Sequence, residues 1–205
     1  MSTPRVTTVV FDFGGVLVDW NPRYMYSKLF DGDAEGMEAF LATVCTPEWN
    51  EHQDAGRSIA EAEAEAIARH PDKADLIRAY YGRFDEMMAD SIPGTVAILE
   101  ELHARQVPLY GLTNWSAETF PHALKRFPFF QRFRGIVVSG RLKIKKPDPR
   151  IFAHLVAEHR LTAAETVFID DAPKNVDGAK AAGLQALHFT TPERLAADLR
   201  RLGVL

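Results

Sequence analysis

Asp12 closes an apolar run in "VVFDFGGVLVDW" (residues 9–20), and Gly14 and Gly15 follow where side chains would ordinarily stand. Other short segments also end on groups able to do chemistry: Thr113 and Asn114 in "LYGLTN", Ser139 in "GIVVSG", Lys146 in "LKIKKPDPRIF", and Asp170 with Asp171 in "VFIDD". Carboxylates gathered in one place repel unless a cation lies among them, and hard oxygen donors select magnesium or calcium. Magnesium is the natural choice. A lysine beside them adds a point positive charge, and together with a hydroxyl and an amide the set can hold an anion of the phosphate type. Each piece alone has an ordinary structural explanation: an acid at a strand end caps a turn, "TN" opens turns, and "KKPD" is a common loop. Only the set, in this order, points to a site.

The elements that must bring these residues together are legible in the apolar pattern. "VTTVVFDF" (6–13), "VPLYGLTN" (107–114), "GIVVSG" (135–140), "TVFIDD" (166–171) and "LQALHF" (184–189) do not alternate polar with apolar residues. They predict strands covered on both faces, as in a parallel sheet flanked by helices. The segments between them read as helices: Pro93 suits the first turn of "PGTVAILEELHARQ", while Asp148 can cap and Pro149 open "DPRIFAHLVAEHRL". Strand and helix alternate from about residue 91 onward, which predicts a doubly wound α/β fold. In such sheets ligands bind beyond the carboxyl ends of the strands, where the polar residues fall.

Residues 17–90 break the rhythm. No strand-like run occurs there, and "SIAEAEAEAIARH" is built from strong helix formers, so the alternating Ala and Glu of 60–66 predict a solvated helix. The expected organisation is an α/β core formed by 1–16 and 91–205, with 17–90 inserted as a helical cap.

Composition narrows the function classes. With 24 Lys and Arg against 28 Asp and Glu, the formal charge is −4, without the basic excess that a sequence-independent grip on nucleic acid requires. No nucleic-acid partner is expected. No apolar run approaches membrane-spanning length, and the polar start "MSTPRVTT" lacks the apolar core of a signal peptide. Cys45, the one cysteine, has no internal partner, and a buried, passive thiol in the cytoplasm is the expectation. "FPFFQRF" (127–133) reads as core packing; exposed, it would suggest a homodimer rather than a monomer.

Taken together, "VVFDFGGVLVD", "LYGLTN", "KKPDPRIF" and "VFIDDAPKNVDGAKAAG" resemble, in order, the four motifs of the haloacid dehalogenase-like hydrolase superfamily, over nearly the whole chain. The resemblance implies a Rossmann-like core, a helical cap after the first motif, and a small turn and flap over about residues 14–22. It also implies that Asp12 is a nucleophile that accepts a phosphoryl group from a small phosphorylated metabolite, giving an acyl phosphate that water hydrolyses. Magnesium would take Asp12, the backbone carbonyl of Gly14 and Asp171, with Asp170 a ligand or near neighbour. Thr113 and Asn114 would bind phosphoryl oxygens, and Lys146 would balance charge in the transition state.

The sequence departs from the phosphatase pattern at one position. Most phosphatases of this superfamily carry a second aspartate two residues after the nucleophile as general acid, and here that residue is Gly14. A good leaving group, a proton donor from elsewhere such as Asp19 or His52, or weak turnover by a protein that chiefly binds phospho-ligands would each accommodate the loss. The 2-haloacid dehalogenases also lack that acid, so a dehalogenase acting through Asp12 stays open; retention of Asp170 and Asp171 favours a phosphatase. An Asp-x-Gly subgroup that includes sugar-phosphate phosphatases is the most similar, which brings sugar phosphates in as a substrate class. Substrate choice is expected in the cap, where "WNEHQDAGRSIAE" (49–61) offers His52 and Arg57; the alternative is that Trp49 packs between helices and the charges are solvated.

Overall fold

The computed structural model describes residues 4–205. The chain begins with β1 (Thr8–Phe11) and β2 (Val18–Trp20), then runs through α1 (Arg23–Leu29), α2 (Ala34–Thr43), α3 (Pro47–Asp54), α4 (Ile59–Arg69) and α5 (Ala74–Gly82) to β3 (Met88–Ser91). Strand and helix then alternate: α6 (Pro93–Ala104), β4 (Leu109–Thr113), α7 (Phe120–Arg126), β5 (Gly135–Val138), α8 (Ser139–Leu142), α9 (Pro149–Glu158), β6 (Thr166–Asp170), α10 (Pro173–Ala181), β7 (Gln185–His188) and α11 (Pro192–Arg201). The larger sheet is parallel throughout, in the order β5-β4-β1-β6-β7. All five predicted strands are present.

The central position of β1 explains its composition. Val9 and Phe11 pack into one apolar cluster and Val10 into the other, on opposite faces, and all three are fully buried. A strand covered on both sides has no face left for polar residues, so the first place the chain can present a carboxylate is the strand's end. Asp12 occupies it. Its N–H still bonds Ile169 O at 2.8 Å, so the residue remains tied to the sheet.

Phe13 anchors the next position. Its ring is fully buried and packs on Phe120, Phe130 and Phe133, with centroids 6.1, 4.8 and 5.2 Å away. Burying a Phe contributes on the order of 1.5–3 kcal/mol. The "FPFFQRF" segment is therefore packing material: Phe127, Phe129 and Phe130 are buried. A Cβ at Gly111 of β4 would collide with the Phe13 ring, which accounts for a glycine inside an otherwise apolar strand.

The block between β1 and β4 is mostly helical, but it holds two strands absent from the sequence expectation. β2 and β3 pair antiparallel, Val18 with Ser91 and Trp20 with Met88. Each is too short to show periodicity, and they find each other only after the five intervening helices fold back. α4 is a helix, closed at its start by a reciprocal Ser58–Glu61 capping box. It is not solvated all round: Ala62 and Ala66, one turn apart, are buried.

Candidate active site

Four segments at the carboxyl edge of the sheet place the polar side chains. Lys146 is the hub, and its side chain is wholly enclosed. Its Nζ donates to Asp170 Oδ2 at 2.6 Å and to Leu112 O at 3.0 Å, and stands 2.9 Å from Asp12 Oδ1. The Phe168 ring lies beneath the ammonium, 5.2 Å from it. Burial pulls the Lys146 pKa down, but the charges of Asp12 and Asp170 outweigh it and hold the ammonium above its ordinary value.

Asn114 sets the loop that carries this lysine. Its amide accepts from Lys146 N at 2.8 Å and donates to Lys146 O at 3.1 Å, pinning the main chain across 32 residues. Thr113 is buried at the end of β4, and among the described residues its hydroxyl has no hydrogen-bond partner. Asp170 is fully buried and fully engaged: Oδ1 accepts from Ala172 N at 2.8 Å and from Asn175 Nδ2 at 3.0 Å.

Asp171 is the freer member of the acid pair. It has no ion-pair partner among the described residues, and its carboxylate would collide with a Cβ at Gly15. Gly15 also has φ +73°, a conformation that side-chain-bearing residues rarely adopt. The second glycine of "GG" is thus fixed twice over, by backbone and by the acid it accommodates. Gly14 differs, because nothing lies within 4 Å of where its Cβ would stand.

Asp12, Asp170 and Asp171 each present a carboxylate oxygen, all within 4.8 Å of one another. Burial raises the pKa of Asp12, with the Asp170 charge adding to the effect and Lys146 opposing it. Asp171 is raised as well, by burial and then by Asp170. One lysine does not fully compensate three acids. A hard divalent cation fits this donor set: Asp12, Asp171 and the carbonyl of Gly14 are available to it, with Asp170, already engaged by Lys146, Ala172 and Asn175, as their near neighbour.

A cavity of about 100 Å³ opens beside Gly14, walled by Trp20, Phe84, Trp115, Asn114, Asn50 and Asp54. Of the residues expected to bind substrate, His52 and Arg57 are not brought to it. Both line a groove on another side of the helical block, beside Thr46, Glu65 and Arg69. Arg57 is held there by Gln53 Oε1 at 2.8 Å, Glu65 Oε2 at 2.6 Å and Trp49 O at 3.2 Å. Trp49 itself is buried, with Nε1 donating to Ala62 O. Helical periodicity is the reason: Trp49 and Gln53 turn inward, which places Asn50 and Asp54 on a neighbouring face and His52 away from both.

Asn50 and Asp54 were legible only through that wheel. The helix is joined to the sheet edge by polar contacts: Glu51 bridges Lys145 and Lys174, and Ser139 Oγ donates to Asp54 O at 2.6 Å while accepting from Trp115 N at 3.0 Å. Cys45 is buried, and burial pushes its thiol up to about 12, so it is unreactive. No helix among the described residues is long and apolar enough to cross a membrane.

A family model for haloacid dehalogenase-like hydrolases matches residues 6–183. The chain is 30% identical to a sesquiterpene phosphatase of Aspergillus oryzae over 94% of both chains. Its fold is similar to a Bacteroides thetaiotaomicron enzyme of the same family, solved with magnesium and inorganic phosphate (21% identity, TM-score 0.68, 90% of this chain and 94% of that one). It is also similar to an L-2-haloacid dehalogenase of Xanthobacter autotrophicus (17% identity, TM-score 0.64, 98% and 84%), a likeness of fold alone. A parallel sheet with four polar segments converging on its carboxyl edge, and a family match across nearly the whole length, place this chain among the haloacid dehalogenase-like hydrolases.

Proposed function

We propose that the protein is a magnesium-dependent phosphatase for a small phosphorylated metabolite, working through an aspartyl phosphate on Asp12. The observation that carries this reading is the buried Lys146 ammonium joining Asp12 to Asp170, with Asp171 completing an acid cluster at the strand ends. A dehalogenase needs one nucleophilic carboxylate and no cluster. A cation-assisted phosphoryl transfer needs the rest.

Asp12 is held for attack by the sheet behind it, by Phe13 N donating to its Oδ1 at 2.7 Å, and by Lys146. The carboxylate adds to phosphorus, the bond from phosphorus to the ester oxygen breaks, and water later cleaves the acyl phosphate. Thr113 offers a free hydroxyl for a phosphoryl oxygen, and Lys146 supplies a preorganised positive charge. Asn114 keeps that lysine in place. Magnesium, held by Asp12, Asp171 and the Gly14 carbonyl with Asp170 beside it, would polarise the phosphoryl oxygens and screen the approach of two anions.

The helical block over residues 17–90 acts as the cap, and substrate choice resides in the walls it contributes. Trp20, Asn50 and Asp54 of this block, facing Trp115 of the core, combine flat apolar faces with hydrogen-bonding groups, which suits a sugar phosphate. A prenyl-type phosphate has its own support. A wider cavity of about 490 Å³, lined by Leu41, Ala42, Cys45, Pro47 and Tyr80, shares Trp20 and Asn50 with the first, and a relative is named for a sesquiterpene substrate.

The test is phosphate release from p-nitrophenyl phosphate, acetyl phosphate, sugar phosphates and a prenyl monophosphate, with magnesium and with EDTA. Magnesium-dependent release that disappears in Asp12→Asn supports the reading. Chloride release from 2-chloropropionate in EDTA, without phosphate release from any ester, overturns it in favour of the dehalogenase.

A further inference from the structure

We infer that Asp54, delivered from α3 across the cavity to the gap at Gly14, is the general acid and base of the reaction. The inference rests on the phosphatase reading above and adds to it the proton donor that the first motif lacks.

Position is the first argument. Asp54 and Gly14 line the same cavity, and at Gly14 there is open space where the side chain of an acid would otherwise project. Asp54 is the last residue of α3, and the Ser139 hydroxyl grips its carbonyl, so its main chain is fixed to the core rather than to the helical block alone. Asn50, one turn earlier, donates to Asp54 Oδ2 at 3.3 Å and orients the carboxyl.

Chemistry is the second argument. Burial pushes the Asp54 carboxyl up to about 7; Lys145, the Ser116 main chain and Lys146 oppose the shift, and Glu51 adds to it. A carboxyl so placed carries a proton near neutral pH and can both give and take one. The other candidates are not placed for the task. Asp19 accepts from the Tyr24 hydroxyl at 2.9 and 3.0 Å and is no part of the cavity wall, and His52 lies in the separate groove.

The proton balance closes. As Asp12 bonds to phosphorus, the electron pair of the breaking ester bond goes to the leaving oxygen, which takes the Asp54 proton. The resulting carboxylate then accepts a proton from water while the water oxygen bonds to phosphorus, and the phosphorus–oxygen bond to Asp12 breaks. Asp12 returns as carboxylate and Asp54 as acid.

A general acid matters in proportion to how poorly the leaving group departs unaided. The experiment compares phenyl phosphate with p-nitrophenyl phosphate in wild type and Asp54→Asn, each ratio measured on one preparation so that the folded fraction cancels. The quantity compared is kcat/KM, which reports formation of the aspartyl phosphate and not its common hydrolysis; the expected loss in Asp54→Asn is about 100-fold or more on phenyl phosphate, with less than about threefold on p-nitrophenyl phosphate. Equal losses of kcat/KM on both esters, or none on either, in the presence of normal wild-type activity would overturn the role of Asp54 and leave the phosphatase reading standing. A wild type that hydrolyses neither ester nor acetyl phosphate would overturn both.

Discussion

The Lys146 ammonium lies 2.6 Å from Asp170 Oδ2, and neither side chain has any exposed surface. Removing one partner of a buried pair leaves the other charge without compensation, which typically costs about 3–5 kcal/mol. Lys146→Met should therefore lower stability by roughly that amount in urea titrations and abolish turnover. Lys146→Met with Asp170→Asn should recover part of the stability and none of the activity. A Lys146→Met protein as stable as wild type would show that the ammonium is not the hub of the site.

The two glycines after Asp12 should respond oppositely to alanine. At Gly15 the backbone is left-handed and the Asp171 carboxylate would collide with a Cβ, so Gly15→Ala should cost more than about 1 kcal/mol and weaken magnesium binding. At Gly14 there is room, and Gly14→Ala should change stability by about 0.5 kcal/mol or less. Thermal melting with magnesium titration checks both.

That room also allows a repair. Gly14→Asp, introduced into Asp54→Asn, should restore hydrolysis of phenyl phosphate by at least about tenfold, because a second acid then reaches the leaving oxygen from the core side. Steady-state kinetics on the double variant measures it. No gain would indicate that the leaving oxygen does not lie between these two positions.

Asp54 also gives stability a pH dependence of defined sign. Its carboxyl ionises near 3.8 in the unfolded chain and is pushed up to about 7 in the fold, chiefly by burial. Between those values the native state holds a proton that the unfolded state has released, so stability falls as pH rises through the window. In EDTA, the stability of wild type relative to Asp54→Asn should decline from pH 4 to pH 7 and level off above. Denaturation curves at several pH values for both proteins would reveal the difference, and parallel pH profiles would contradict it.

The sheet was legible because β1, β4 and β6, in its middle, are buried on both faces and read as largely apolar runs, with β5 and β7 more open at its edges, and because Pro93, Asp148 and Pro149 mark helix starts. The polar ends of those strands followed from the same rule, so Asp12, Asp170 and Asp171 could be grouped from sequence, with Lys146 joining them from the loop that leads to α9. β2 and β3 were not legible, since each is stabilised by a partner about 70 residues away. His52 and Arg57 stand in a separate groove for a related reason. A histidine and an arginine attract attention by chemistry, but which face of α3 meets the sheet depends on Trp49 and Gln53 filling the interior, and that choice is made by packing. Arg57 serves the helical block itself, through Gln53, Glu65 and Trp49.

The central claim is that Asp12 becomes phosphorylated. Acid quenching during turnover of acetyl phosphate with magnesium, followed by peptide mass spectrometry, addresses it most directly. A phosphoryl adduct on the peptide bearing Asp12, absent in EDTA and in Asp12→Asn, is the predicted result. Continued phosphate release with that peptide unmodified, or with the adduct on another residue, would contradict it.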